Sequence, residues 1–215
     1  FDARADGYVR GEACCGVALA CTGDDGRALG VSGCAVRQDG RSASLTAPNG
    51  QAQQGLLRAA LADGAWTAAA LVAAEAHGTG TALGDPIEAG SLSVAVLSER
   101  GAACGALVVG GVKASIGHAE PSAGLTGLVR LALGLEGRRG AANAQLRVLN
   151  PHVGGAVGGM GCGLPVVVAA LGGEEGGGGG VSSFGYSGTI AHAVLQSPRR
   201  TIAGPLPLPR PAPCS

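Results

Sequence analysis

Short apolar runs alternate with longer segments of helical character along most of the chain, and this alternation does most to restrict the fold. GVSGCAV (30–36) and ALVAAEAH (70–77) read as strands, with QAQQGLLRAALA (51–62) between them as a helix. A second cycle follows: a helix over about 86–97, the strand ALVVGGV (106–112) and a helix over about 121–135. Strands that recur with a helix between them imply an α/β architecture, a sheet held between helical layers. The helix after position 85 carries its own start signal. Asp85 can accept from backbone amides as the N-cap, Pro86 suits the first helical position and Glu88 falls at the third, so a capping box is expected.

Glycine dominates from 154 to 180 and ends in GGEEGGGGG, which predicts a loop-rich region where only LPVVVAAL (164–171) has strand character. From Pro198 onward the chain holds six of its eleven prolines. That composition predicts an extended linker or tail over 198–215, beyond a folded region over 1–197.

Composition narrows the function. The formal net charge is zero and aromatics make up 2%, leaving neither the basic face nor the stacking surface that nucleic-acid binding uses. Glycine interrupts every long apolar stretch, so no membrane span is expected. Seven cysteines without C-x-x-C spacing predict neither a disulfide framework nor a zinc site. They read as small buried apolar residues in a reducing, cytoplasmic setting. The chain has 215 residues and opens with FDARADGYVRGE, which lacks the apolar core of a signal peptide. A piece of a longer reading frame is expected.

Two histidines stand where chemistry would be placed. His77 follows a predicted strand and precedes the helix at 85; His118, in GGVKASIGHAEPSAG, repeats that arrangement between the strand ending near Val112 and the helix near Pro121. In open α/β sheets ligands bind beyond the carboxyl ends of strands. A nearby helix N-terminus favours the neutral imidazole, so each ring could donate one hydrogen bond. Two such donors on one carbonyl oxygen would stabilise a forming enolate, as in decarboxylation of a β-carboxy thioester. Gly78 and Gly80 let a substrate arm approach the backbone, and Thr79 and Thr81 offer hydroxyls to its amides. The same run could be a tight turn, and it is not a dinucleotide fingerprint, because position 83 is Leu. GYSGT around Ser187 likewise fails the serine-hydrolase elbow at Thr189.

Five stretches taken together, FDARADGYVRGEACCGVAL, LTAPNGQAQQGLLRAAL, HGTGTALGDPIEAGSL, VKASIGHAEPSAGLTGLV and VSSFGYSGTIAHAVL, resemble in order and spacing the β-ketoacyl synthase domain of type I polyketide synthases. The resemblance runs from Phe1 to about Gln196 and covers the carboxyl-terminal half of that domain. It implies a thiolase-like fold of layered α/β/α type, here with an incomplete amino-terminal half. It also implies a decarboxylative Claisen condensation of an acyl thioester with malonyl on the phosphopantetheine arm of an acyl carrier protein. No other cofactor and no metal are implied; the partners are the carrier protein, acyl and malonyl thioesters and adjoining megasynthase domains, and the complete domain is a homodimer.

By this resemblance His77 and His118 match the two histidines of a cysteine-histidine-histidine site, and Lys113 the lysine that supports it. Thr79 and Thr81 match contacts to the pantetheine arm. The backbone amide of Tyr186 matches an oxyanion-hole donor, with Phe184 and Tyr186 at the gate. The family's nucleophile sits in a TACSSS-like turn that this sequence does not contain. Cys14 and Cys15 fall where the family has small residues beside a strand and read as packing residues; His152 and His192 read as structural. Ile190 and Ser115 replace the asparagines usual in SGTN and VKSNIGH, and Tyr186 replaces a phenylalanine. These departures leave an alternative open, a catalytically silent ketosynthase-like scaffold or acyl-binding module.

Overall fold

The computed structural model describes residues 1–21, 28–40, 47–172 and 177–198. Its first half runs β1 (Gly30–Gln38), α1 (Gly50–Asp63), β2 (Leu71–Glu75), α2 (Gly84–Ala95) and β3 (Leu107–Gly110). The short α3 (Lys113–Ile116), α4 (Ala123–Gly137), β4 (Arg139–Gly140) and α5 (Pro151–Val157) follow. Then come β5 (Cys162–Gly163), β6 (Ala169–Ala170), β7 (Gly178–Phe184) and β8 (Thr189–Gln196). Six strands form one mixed sheet in the order β1-β8-β7-β2-β3-β5, while β4 and β6 pair separately. β7, β2, β3 and β5 are mutually parallel, and β8 and β1 extend the sheet antiparallel.

The side-chain pattern explains the layers. In β3 Leu107 and Val109 enter the core under α1, α2 and α5, while Val108 packs into the core under α4. One strand therefore feeds two cores with period-two alternation, as a sheet covered on both faces requires. α1 buries Gln53, Leu56, Leu57, Ala60 and Leu61, a stripe at helical spacing, and Asn49 caps it by accepting from the amides of Gln51 and Ala52. α4 buries Ala123, Gly127, Leu131 and Leu135 against β7 and β2. Its opposite stripe, Leu125, Val129 and Leu133, is left exposed. Among the described residues no helix is long and apolar enough to cross a membrane.

The α/β layering and the strands and helices expected around 30–36, 51–62, 70–77, 86–97, 106–112 and 121–135 are present, with ends shifted by a few residues. Three expectations fail, and a fourth, the loop-rich region over 154–180, holds only in part. The glycine-rich region over 154–180 is not simply loop: α5 occupies its start, and Gly178, Gly179 and Gly180 open the central strand β7. A Cβ on Gly178 would stand 2.6 Å from the Trp66 ring, one on Gly179 2.7 Å from Leu131, and one on Gly180 2.6 Å from His192. These glycines admit large neighbours that cross the strand closely. LPVVVAAL forms only the two residues of β6, and Val166, Val167 and Val168 are exposed.

The capping box is also absent, for α2 starts at Gly84 and its first amide is answered by Thr81 Oγ1 at 3.0 Å. Asp85 and Glu88 turn instead toward the preceding loop. The cysteines, finally, are not deeply buried. Cys14, Cys21 and Cys34 are exposed and Cys15, Cys104 and Cys162 are half-buried; Cys14, Cys15 and Cys21 lie on a segment over 8–21 that forms no strand and is exposed over most of its length. Cys214 and the rest of the proline-rich tail from 199 lie outside the described residues.

Two substitutions separate packing glycines from idle ones. Gly179→Val should destabilise the fold by about 1–3 kcal/mol through overpacking against Leu131 and the Ala73 carbonyl. Gly90→Ala, inside α2 where an added Cβ meets nothing, should stabilise it by roughly 0.5–1 kcal/mol. Denaturant midpoints of the two variants should therefore move in opposite directions.

Candidate active site

Three adjacent parallel strands deliver the site from one edge of the sheet. β7 ends on Phe184, β2 ends at Glu75 just before His77, and β3 ends at Gly110 shortly before Lys113 and His118. The Ala76 amide donates to the Gly110 carbonyl at 2.8 Å, so the two central strands stay joined up to the point where the site begins.

The loop after β2 is held by carboxylates. Glu88 accepts from the His77 amide at 2.7 Å and from the Gly78 amide at 2.8 Å. Asp85 accepts from the Gly80 amide at 2.9 Å, and its other oxygen lies 2.7 Å from the Phe1 nitrogen. Gly78 and Gly80 adopt φ of +49° and +72°, and a Cβ on Gly80 would meet the Gly7 carbonyl at 2.8 Å. Only glycine meets both demands there. Thr79 Oγ1 lies 3.3 Å from Thr81 Oγ1, which already serves the start of α2. Burial pushes the Glu88 carboxyl up to about 7, against the pull of its two amide partners.

The turn after β3 is held the same way. Glu75 Oε1 accepts from the Val112 amide at 2.6 Å, and Arg130 Nη1 donates to Glu75 Oε2 at 2.8 Å. Burial raises the Glu75 pKa while Arg130, the Val112 amide and Lys113 oppose the rise. Lys113 is buried, which lowers its pKa, and Glu88, Glu75 and Asp85 pull it back up.

Hydrogen bonds fix the tautomer of both imidazoles. The Phe184 amide points at His77 Nδ1 at 3.3 Å, and the Glu120 amide at His118 Nδ1 at 2.9 Å. A backbone amide can only donate, so each Nδ1 must be the unprotonated acceptor. Each ring then carries its proton on Nε2. Burial lowers the His77 pKa to about 3, helped by Lys113 and His118, and burial followed by Lys113 also lowers that of His118. The rings meet edge to face with centroids 5.6 Å apart. Phe184 lies 5.3 Å from the His77 ring, and Tyr8 4.7 Å from that of His118. Gly117 and Glu120, with φ of +78° and +45°, bend the chain on either side of His118. Arg10 holds the Glu120 carboxylate at 3.0 Å, and the Arg10 backbone bridges to His118.

The structure thus brings together His77, His118, Lys113 and Phe184, with Thr79 and Thr81 on the adjoining loop. Tyr186 lies in the β7–β8 turn with its side chain 92% exposed, so the aromatic ring against His77 is Phe184. Ile190 is fully buried and Ser115 exposed. His152 is exposed on α5, and His192 is buried with Nδ1 2.9 Å from Ser182 Oγ. Sequence reasoning missed Glu75, Arg130 and the loop-holding role of Glu88. A signal existed: Arg130 is the one charge in the apolar run GLVRLALGL, where a charge needs a partner.

The family model described as "Beta-ketoacyl synthase, C-terminal domain" matches residues 29–147. A phenolphthiocerol/phthiocerol polyketide synthase of Mycobacterium tuberculosis is 44% identical over 206 residues, 91% of this chain and 9% of that protein. Erythronolide synthase EryA2 of Saccharopolyspora erythraea is 39% identical over 96% of this chain and 6% of its own length. Among solved structures, the oxazolomycin ketosynthase domain of Streptomyces albus superposes with a TM-score of 0.72 at 30% identity, over 83% of this chain and 32% of that one. Ketosynthase twelve of the bacillaene polyketide synthase of Bacillus amyloliquefaciens gives 0.72 at 29% identity, over 78% and 30%. The chain spans about a third of these ketosynthase domains, and its layered sheet is the thiolase-like one they share. It belongs to the β-ketoacyl synthase family and carries the carboxyl-terminal ketosynthase region of type I polyketide synthases.

Proposed function

We propose that this chain supplies the histidine-bearing part of a condensing enzyme, and that the nucleophilic cysteine comes from a segment outside it. The observation that carries the reading is the pair of imidazoles whose Nδ1 atoms are occupied by amides, which leaves two Nε2–H donors on adjacent rings. In the proposed cycle a cysteine thiolate displaces the carrier thiol from an acyl thioester and becomes acylated. Malonyl on the phosphopantetheine arm of the carrier protein then loses carbon dioxide, and the electron pair of the broken carbon–carbon bond passes into the thioester as an enolate. His77 and His118 donate to that enolate oxygen. The enolate carbon attacks the acyl carbonyl, the tetrahedral adduct expels the cysteine thiolate, and a β-ketoacyl thioester remains on the carrier.

Around these donors the chain's other groups have defined tasks. The positive charge of Lys113 disfavours protonation of His77 and keeps it a neutral donor. Thr79 offers its hydroxyl to the amides of the arm. The amide of Tyr186 serves the oxyanion at the acyl-cysteine, and Phe184 screens His77 from water. Carrier protein, malonyl and acyl thioesters and neighbouring synthase domains are the partners of this reading, in a homodimer of complete domains.

In the complete domain, His77→Ala and His118→Ala should each lower carbon dioxide release from malonyl carrier by about a hundred- to a thousandfold, the usual effect of losing one such donor. Acyl transfer onto the cysteine should fall much less, and the exposed His152→Ala should leave both steps within a few-fold. Unchanged carbon dioxide release in both site variants would refute the mechanism. An inert wild-type domain would favour the silent acyl-binding module instead.

The pH profile offers a separate test. Both histidines titrate below the ordinary value of 6.5, His77 near 3, so acidification through 6.5 should leave the donors intact. The decarboxylation rate should show no acid limb from either histidine at the ordinary histidine value, any limb near 7 belonging to Glu88, whose carboxyl holds the His77 loop. An inflection at or above 6.5 that disappears in His77→Ala would contradict this placement.

A further inference from the structure

The ion pair between Glu75 and Arg130 ties the end of β2 to α4; Glu75 also lines the cavity bordered by Ala76, Glu88 and Phe184, whereas Arg130 does not. Both side chains are largely buried, at 5% and 13% exposure. Room is made for them: a Cβ on Gly110 would stand 2.8 Å from Arg130 Nη1 and 2.9 Å from Glu75 Oε2, and one on Gly127 3.3 Å from Glu75 Cγ. A buried pair is weak evidence for stability, since apolar residues of similar volume often serve as well. Its contacts point to what it holds.

Glu75 closes β2, and its Oε1 takes the amide of Val112, the residue before Lys113. Oε2 takes Arg130 Nη1 from α4, and Arg130 Nη2 donates to the Ala142 carbonyl at 3.0 Å beyond β4. One carboxylate therefore joins the strand that leads to His77, the turn that bears Lys113, and the helix behind them. Without Arg130 the carboxylate would stand buried with a weaker set of partners. It would then take a proton or rotate toward water, and either change releases the Val112 amide.

We propose that Arg130 is a positioning residue for the condensation site: by orienting Glu75 it fixes the Val112–Lys113 turn, and with it the place of Lys113 and His118. The inference deepens the condensing-enzyme reading and rests on it. Arg130 touches no reacting atom, so its loss should act on the chemical step and not on docking of the carrier arm.

The test compares Arg130→Met, Arg130→Lys and the double variant Glu75→Met/Arg130→Met in the complete domain. Arg130→Met should lower kcat for carbon dioxide release by about ten- to a hundredfold, the range typical of lost supporting contacts, with KM for malonyl carrier within about twofold. Arg130→Lys keeps a cation for Glu75 and should recover most of that loss. The double variant buries no uncompensated charge and so should fold cooperatively, yet show the same low kcat as Arg130→Met. Hydrogen exchange of the Val112 amide is the readout that needs no activity. It should quicken at least about tenfold in Arg130→Met and in the double variant, and stay near wild type in Arg130→Lys. A folded double variant with wild-type kcat, or wild-type protection of Val112 in Arg130→Met, would overturn the proposal. If the wild-type domain released no carbon dioxide, the condensing-enzyme reading would fail by itself, and Val112 exchange would still decide whether Arg130 holds the turn.

Discussion

Two buried carboxylates hold the backbone where the parallel strands stop. When β2 and β3 end, their amides lose ladder partners while still enclosed by α2 and α4, and a buried amide left unpaired costs about 1–3 kcal/mol. Glu88 answers His77 and Gly78 from the helix side, and Glu75 answers Val112 from the strand side. Without these acceptors the loops that carry His77, Lys113 and His118 would have no fixed path. The charges are matched in turn, by Arg130 at Glu75 and by the field of Lys113 at both.

This arrangement also determines the chemistry open to the histidines. Burial and the Lys113 charge disfavour their charged forms, and the two amides behind them settle which nitrogen carries the proton of the neutral ring. A pair of charged imidazoles so close together would repel and could not persist in this setting. Neutral Nε2–H donors suit an oxygen that gains negative charge during a reaction, because they need not reorganise as the charge appears. Phe184 belongs to the same device, giving its amide to His77 Nδ1 and its ring to the face of the site.

The layered fold was legible because strand and helix periods alternate over long segments, as in 51–62 and 106–112. The histidine loops could be located because His77 and His118 follow strands and precede helices. Other features were not legible for identifiable reasons. GGG at 178–180 has the composition of a loop, and only the proximity of Trp66, Leu131 and His192 reveals it as a strand. Asp85 and Glu88 have the spacing of a capping box, but their carboxylates bind the loop before the helix, a choice that local spacing cannot reveal. Glu75 in EAH looked like part of a strand, and its partner Arg130 is 55 residues away. The cysteines were misjudged because composition says that cysteine is usually buried, whereas the segment bearing Cys14 and Cys15 packs little of its length against the rest of the chain.

The central claim is that His77 and His118 are both neutral and protonated on Nε2. Nitrogen-15 NMR of the histidine rings in the complete domain reads this directly, between about pH 5 and 8 where an unperturbed histidine changes its charge. The account predicts, for both residues, an acceptor-type shift at Nδ1 and a protonated-type shift at Nε2, with His77 unchanged across that range and His118 altering, if at all, only toward its acid end. Protonation of His77 near neutral pH, or an Nδ1–H tautomer at either ring, would contradict it.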